Sequence, residues 1–433
     1  MGVFFVGLVS ATLSWPILTR AEEVATPTLL ERIQEAKDSL DEVQVAVTTA
    51  KVKKGSRTSK KIQSRDIVLA VTFDPLEQIG TARIVLVHLK ERGTSYISTS
   101  PQYRVIVPHG NGVNTNYQVF EQATGRAGTV LAGKYPVLVA GNLEQAVYTP
   151  YTKALHRTEL VEAGRSYLEG VVAAAYANLL ARQVRSRAFP SRLVVEIVPP
   201  ELMQQLAVIE HLDPAAFAAA SSLDRLLGQF FVLVGVNEQD AFAYTKSGAG
   251  AMGMMQFIPK TYSYIRQHYP EAQLTKDFIA GMRDHENAVV AAVLLADHNI
   301  LQLSSAHRQY LLEHPDELGQ YVAAAYNTGA GRVVKALAYR GENWQEDFSA
   351  VRQQKEQRQQ TLKSQAKTLK STIAKSKSKD RPPLKQKLAA VQHEQSQLSQ
   401  ELVNLKKGSL KKETVVYLKK LKAVAEGLRR DVS

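Results

Sequence analysis

The sequence of 433 residues contains no cysteine. This absence excludes disulfides, zinc sites with cysteine ligands, thiol nucleophiles and a lipid-modified N-terminal cysteine. The ten histidines are scattered and the pattern H-E-x-x-H is missing, so no motif predicts a metal or another cofactor. Apart from an apolar run at 3–18, no stretch approaches the length of a membrane span. The composition, 45% hydrophobic and 22% charged, is that of a folded chain with more than one domain.

The charge is strongly unbalanced, with 54 lysines and arginines against 41 acidic residues. A net charge of +13 favours an anionic partner, such as nucleic acid, anionic lipid or a cell-wall polymer. Residues 346–412 hold 16 of the basic and only six of the acidic residues, so most of the excess belongs to this segment. We expect it to bind an anionic envelope surface or an acidic protein. Nucleic acid is not the partner we expect, because the segment lacks the interleaved aromatics of single-strand binders.

The first 21 residues predict export. The apolar run at 3–18 has the length of a signal-peptide core, and the small residues Thr19 and Ala21 precede an acidic, polar stretch. No basic residue precedes the run, which leaves an uncleaved N-terminal anchor as the alternative. We therefore expect the periplasm or the cell envelope as the location of the protein.

The hydrophobic patterns divide residues 22–433 into three segments. Residues 22–142 predict an α+β accessory module, with a helix over 29–49 and strands over 66–73, 82–89, 95–107 and 117–120. From about residue 143 the pattern turns helical, which predicts a connector over 143–200 with one strand at 193–198. The remainder, 201–433, predicts a mainly helical domain.

The motifs with chemical meaning lie in this last domain. An apolar run at 226–236 ends next to Glu238, and Ser247 follows nine positions later. Gly-Ala-Met-Gly-Met-Met-Gln occupies 250–256, and Ala-Tyr-Asn-Thr-Gly occupies 325–329. In this order and at this spacing, the combination resembles the lytic transglycosylases of the soluble (SLT) type, in the lysozyme-like superfamily. One difference from the family is Gln239, where a serine usually follows the glutamate.

A second pattern in the same stretch is misleading. Gly248, Gly250 and Gly253 spell G-x-G-x-x-G, the fingerprint of dinucleotide-binding folds. Such a site needs an apolar strand before the glycines, and Tyr-Thr-Lys precedes them here at 244–246. A nucleotide site is therefore not predicted.

The resemblance implies an α+β multidomain protein with a mainly α, lysozyme-like catalytic domain. It also implies cleavage of the β-1,4 bond between N-acetylmuramic acid and N-acetylglucosamine in peptidoglycan, without a cofactor. One carboxylate, Glu238, would act first as acid and then as base, and the product would carry a 1,6-anhydro ring. The resemblance implies a substrate-binding role for six residues: Ser247, Gln256, Tyr326, Asn327, Glu413 and Tyr417.

Glu413 and Tyr417 match the Glu-Thr-x-x-Tyr element of the family, but they lie more than eighty residues beyond Asn327. An insert at 346–412 accounts for the gap. Leucines and other apolar residues recur there at steps of three and four on both sides of a basic turn at 375–383, which predicts an inserted helical hairpin with a coiled-coil seam. A disordered polar insert is the alternative.

Two other functions remain open at this point. A goose-type muramidase would use a second carboxylate to activate water and would release reducing ends. A catalytically weak scaffold protein would bind peptidoglycan in the same cleft and recruit partners through the insert.

Overall fold

The computed structural model describes residues 27–54, 57–93, 95–108 and 110–430. The predicted signal peptide or anchor at 1–21 lies outside these residues. Within them, no helix has both the length and the apolar character required to cross a bilayer.

The described N-terminal part of the chain consists of one α-helix and eight strands, with short 3-10 turns between some of them. They are α1 (Leu29–Asp41), β1 (Val47–Lys54), β2 (Arg57–Thr72), β3 (Ile84–Arg92), β4 (Ser95–Ser98), β5 (Tyr103–Ile106), β6 (Gln118–Glu121), β7 (Ala127–Val139) and β8 (Asn142–Tyr148).

The rest of the described chain is helical. Its helices are α2 (Thr158–Ala181), α3 (Pro200–His211), α4 (Pro214–Ala219), α5 (Asp224–Asn237), α6 (Pro259–His268), α7 (Phe278–Arg283), α8 (His285–Leu301), α9 (Ser305–Glu313), α10 (Pro315–Thr328), α11 (Ala330–Arg340), α12 (Ser349–Lys375), α13 (Arg381–Gly408) and α14 (Lys412–Arg430). A β-rich region thus precedes a mainly α region, which confirms the predicted α+β class.

The strands form one antiparallel sheet in the order β4-β3-β2-β7-β6-β5, with β1 paired to β2 and β8 paired to β7. Both faces of its centre are buried. On β2, Leu69 packs into the core shared with the helical region, whereas Val68 and Ala70 pack against α1. The buried side chain of Lys134 caps the C-terminus of α1. Its Nζ donates to the carbonyl oxygens of Leu40 and Asp41 at 2.8 and 2.7 Å.

Several sequence expectations for this region were wrong. The strand expected over 95–107 is split into β4 and β5, and β1, β7 and β8 were not predicted. β7 is buried almost throughout, so it lacks the alternating pattern of a half-exposed strand. Because β8 spans 142–148, the helical region begins at Thr158 and not near residue 143. The strand expected at 193–198 is a short 3-10 turn, and Leu193 forms only an isolated bridge with Arg185.

The helix α2 crosses α5 at two glycines. A Cβ atom on Gly164 would lie 1.8 Å from the carbonyl oxygen of Phe231, and one on Gly235 would lie 2.6 Å from that of Leu160. Helix backbones can approach this closely only where no side chain intervenes. The crossing therefore fixes the end of α5, and with it Glu238.

The insert is a helical hairpin, as predicted. The helices α12 and α13 run antiparallel, since Lys355 pairs with Glu401 at 2.7 Å and Arg358 pairs with Glu394 at 2.8 Å. Leu362 is buried against α13. After the hairpin, α14 returns to pack against α3 and α10. The continuous coiled-coil seam stays a prediction.

We expect Gly164→Ala to lower the free energy of unfolding by about 1–3 kcal/mol, because the added methyl group would overlap the α5 backbone. Gly170→Ala is the matched control on the same helix, where a Cβ atom would meet nothing within 4 Å. It should be neutral or stabilising by up to about 1 kcal/mol. Urea unfolding of both variants measures the difference, and equal effects would contradict the described crossing.

Candidate active site

Three helices and one loop meet around Glu210, the penultimate residue of α3. The hydroxyl of Tyr417 on α14 donates to Glu210 Oε1 at 2.6 Å. The hydroxyl of Tyr326 on α10 donates to the carbonyl oxygen of Met255 at 2.6 Å, and Thr414 Oγ1 donates to Asn327 Oδ1 at 2.8 Å. These bonds connect α3, α10 and α14 with the motif loop that precedes α6.

The motif loop has an unusual backbone. Glu238, Phe242 and Gln256 all have a positive φ, at 45°, 60° and 47°. Such conformations cost free energy for residues other than glycine, and they are concentrated at functional sites. Gly253 also has a positive φ, and a Cβ atom there would lie 2.3 Å from the carbonyl oxygen of Met282. The last glycine of the motif is therefore required by close packing.

Polar contacts within the loop hold its own shape. Ser247 Oγ accepts from the backbone N–H of Ala251 at 3.0 Å, and Gln256 Nε2 donates to the carbonyl oxygen of Gly253 at 2.8 Å. Both predicted binding residues thus shape the loop in this structure.

Two histidines anchor the loop from outside. Burial lowers the pKa of both His211 and His285 to about 4, so both rings are neutral near pH 7. Their Nε2 atoms therefore carry hydrogen and donate to the carbonyl oxygens of Met254 and Ala241, at 2.9 and 3.0 Å. The ring of His211 also stacks on Phe242, with 3.6 Å between the centroids.

Glu238 follows the last residue of α5 and its side chain is exposed. It lines a cleft of about 460 Å³ whose opposite wall is α1. Lys37 of α1 donates to the carbonyl oxygen of Val236. Burial lowers the pKa of Lys37, while the carboxylates of Asp240 and Glu238 raise it. The N-terminal module thus forms one wall of the cleft next to Glu238.

The structure therefore brings only some of the predicted site residues together. Tyr326, Asn327 and Tyr417 converge with the segment that ends at Gln256, although α14 lies beyond the hairpin. None of them lines the cleft beside Glu238, and no hydrogen bond or ion pair among the described residues joins Glu238 to them. Glu413 lies exposed in the first turn of α14, close enough to Glu210 for its charge to raise the pKa of that carboxyl.

Sequence reasoning missed Glu210. Burial raises its pKa to about 7, and the hydrogen bond from Tyr417 and the charge of Lys420 oppose this increase. The available signal was its place on the apolar face of α3, seven residues after Met203 and four after Leu206, both buried. A glutamate on such a face either lowers the stability of the fold or has a function.

Residues 216–349 match the family model of the transglycosylase SLT domain. The chain contains an SLT domain. The match begins in α4 and ends at the start of α12, so it includes α5, the motif loop, α8 and α10, but not α3 or α14. Comparisons with curated proteins and with solved structures gave no match.

The SLT domain associates the protein with the lysozyme-like enzymes that act on peptidoglycan. In the described part of the chain, no group of three or more histidine, aspartate or glutamate side chains could hold a metal ion.

We expect the stability of the protein to depend on the ionisation of Glu210. Its carboxyl has a higher pKa in the folded than in the unfolded chain, so this contribution is complete below about pH 4.5 and is lost as the pH rises through about 7. Between pH 5 and 8 the wild type should lose up to about 3 kcal/mol more than Glu210→Gln. Urea unfolding tests this, with the exposed Glu201→Gln on the same helix as the control. Equal pH dependence of wild type and Glu210→Gln would contradict the expectation.

Proposed function

We propose that the protein is a peptidoglycan lytic transglycosylase. It cleaves the β-1,4 bond between N-acetylmuramic acid and N-acetylglucosamine and leaves 1,6-anhydromuramoyl ends. The observation that supports this best is the convergence of Tyr326 and Asn327 with Tyr417 and with the motif loop, despite the long insert between them. Such convergence is expected if these residues form one glycan-binding groove.

The reaction requires two proton transfers. A proton goes to the leaving glycosidic oxygen, the acetamido group of the same sugar supports the positive charge, and the 6-hydroxyl loses a proton as its oxygen bonds to the anomeric carbon. We propose that Glu238 is the carboxylate for both transfers, because its spacing from the other motifs is that of the family's catalytic glutamate. Its position at the end of α5 in a cleft and its positive φ support this role.

The proposed binding residues suit a sugar. The amides of Gln256 and Asn327 and the hydroxyl of Ser247 can form hydrogen bonds with hydroxyl and acetamido groups. The rings of Tyr326 and Tyr417 can pack against a sugar face. Glu413, exposed at the start of α14, completes the proposed set.

A goose-type muramidase is the second candidate, because Glu210 provides another carboxylate near the motif loop. The two enzymes differ in product. A hydrolase adds water and gives reducing muramic ends, whereas the transglycosylase gives anhydro ends.

Glu238→Gln should reduce the clearing of peptidoglycan in a zymogram by at least about 100-fold, since the amide can neither donate nor accept the transferred proton. Glu159→Gln, an exposed position at the start of α2, serves as the control. Mass spectrometry of the wild-type digest should find anhydro ends. Only reducing ends would support the muramidase, and no activity in either wild type or variant would support a scaffold protein.

We also propose that the protein is exported and that the hairpin contacts an anionic envelope surface or an acidic protein. The ion pairs described for the hairpin lie in its half next to the SLT domain. Towards the turn, basic residues predominate and form no ion pair among the described residues, which leaves a positive tip.

Replacing Lys375, Lys377, Lys379 and Arg381 by glutamine should weaken salt-sensitive cosedimentation with isolated cell walls. The control replaces four exposed lysines of the β1–β2 ribbon, at 51, 53, 60 and 61, and removes the same net charge. Equal loss in the two variants would assign the binding to overall charge and not to the hairpin tip.

A further inference from the structure

The two residues that flank Glu238 are each held by a residue that precedes the matched SLT segment. On one side, the buried amide of Asn237 forms two hydrogen bonds with the backbone of Thr149. Its Oδ1 accepts from the N–H group at 2.8 Å, and its Nδ2 donates to the carbonyl oxygen at 2.9 Å. On the other side, Oε1 of Gln239 accepts from the hydroxyl of Tyr167 on α2 at 3.0 Å. The backbone at Glu238 is therefore held from both directions along the chain.

Gln239 uses both ends of its side-chain amide. Its Nε2 donates to the carbonyl oxygen of Arg283, the last residue of α7, and the guanidinium of Arg283 pairs with Glu144 of β8 at 2.6 Å. The family usually has a serine at this position. A serine side chain is much shorter and carries a single hydroxyl, so it could not reach both partners. The bridge from α2 to α7 therefore depends on the glutamine of this chain.

The hydroxyl of Tyr167 has a second acceptor. Nδ1 of His285 lies 3.1 Å away, and it carries no hydrogen because the neutral ring donates through Nε2 to the carbonyl oxygen of Ala241. The single hydroxyl hydrogen is thus shared between His285 and Gln239. Tyr167 therefore contacts the residue after Glu238 directly, and it is connected through the histidine to Ala241, three residues after Glu238.

Tyr167 lies near the carboxylates of the site and stays a donor beside them. Burial raises the pKa of its hydroxyl well above the ordinary value, and the charges of Glu238, Asp240 and Asp284 raise it further. The hydroxyl therefore keeps its hydrogen when these carboxylates ionise. Its two contacts do not depend on the protonation state of the site.

The backbone at Glu238 requires support of this kind. Its φ is 45°, a conformation that a residue other than glycine keeps only when the surrounding contacts hold it there. A rotation of this backbone would move the carboxylate relative to a bound glycan. Small displacements of a reacting group lower the rate strongly, because the reacting atoms must meet at a defined distance and angle.

We propose that Tyr167 is a positioning residue for Glu238 and that it acts through Gln239 and His285. The inference depends on the function proposed above, in which Glu238 carries both proton transfers. Tyr167 itself transfers no proton. Its hydroxyl holds the turn at 237–241, so that the carboxylate keeps one position in both transfers. Part of the active site is thus supplied by α2, outside the matched SLT segment.

Tyr167→Phe should lower kcat on purified glycan strands by about 10-fold and leave KM nearly unchanged, because it removes no group of the proposed glycan-binding groove. Tyr176→Phe is the matched control on the same helix, where the hydroxyl donates to the carbonyl oxygen of Val198 at 2.8 Å. Both variants lose one hydrogen bond and should have slightly lower urea midpoints, but Tyr176→Phe should keep the wild-type kcat. A wild-type kcat in Tyr167→Phe, or an equal loss of kcat in both variants, overturns the proposal.

A double variant tests whether Tyr167 acts through Gln239. Gln239→Met keeps the length of the side chain without its polar atoms and should also lower kcat by about 10-fold. Combined with Tyr167→Phe, it should lower kcat by clearly less than the product of about 100-fold, because both changes break the same contact. A loss equal to the full product would mean that the two residues act independently, and it would overturn the proposal.

The products separate this inference from the proposed function. Anhydro ends from the wild type would support the transglycosylase, even if Tyr167→Phe kept the wild-type kcat and the positioning role failed. Reducing ends alone would overturn the transglycosylase, whereas a lower kcat in Tyr167→Phe but not in Tyr176→Phe would still support the positioning role.

Discussion

The proposed glycan-binding groove depends on the return of α14 to the body of the protein after the hairpin. The helix packs between α3 and α10, and each of its first two turns makes one polar contact, from Thr414 to Asn327 and from Tyr417 to Glu210. The donors Thr414 and Tyr417 are buried, so the loss of either bond would leave a buried hydroxyl unpaired. The same contacts that hold α14 therefore also set the positions of the proposed substrate-binding side chains.

Neutral histidines complement this arrangement. His211 and His285 use their Nε2–H groups on carbonyl oxygens of the motif segment, one on each side of Ser247. Because burial keeps both rings uncharged near neutral pH, these anchors do not change when the carboxylates of the site gain or lose protons. The loop can therefore keep its strained backbone at Phe242 and Gln256 when these carboxylates change protonation state.

Sequence patterns predicted the features that depend on neighbouring residues. They missed the features that depend on contacts between residues far apart along the chain. Glu238, the motif loop and the Tyr326–Asn327 pair follow from spacing along the chain, and the hairpin follows from its apolar repeat. Glu210 and Tyr417 are 207 residues apart, and no local pattern connects them. The strands β7 and β8 were missed for a related reason, since burial on two faces removes the alternation that marks a strand. The position of α1 beside Glu238 likewise arises only from packing.

Because of its geometry, the hairpin can differ in length without changing the shape of the proposed groove. Its two ends are held together, because Arg340 at the end of α11 donates to the carbonyl oxygen of Asn404 at 3.0 Å and a Cβ atom on Gly408 would touch Tyr339. The chain thus leaves and re-enters the helical region at almost the same place. Matched turns could be added to or removed from α12 and α13 without moving α14. The reach of the basic tip could therefore vary without any change to the proposed groove.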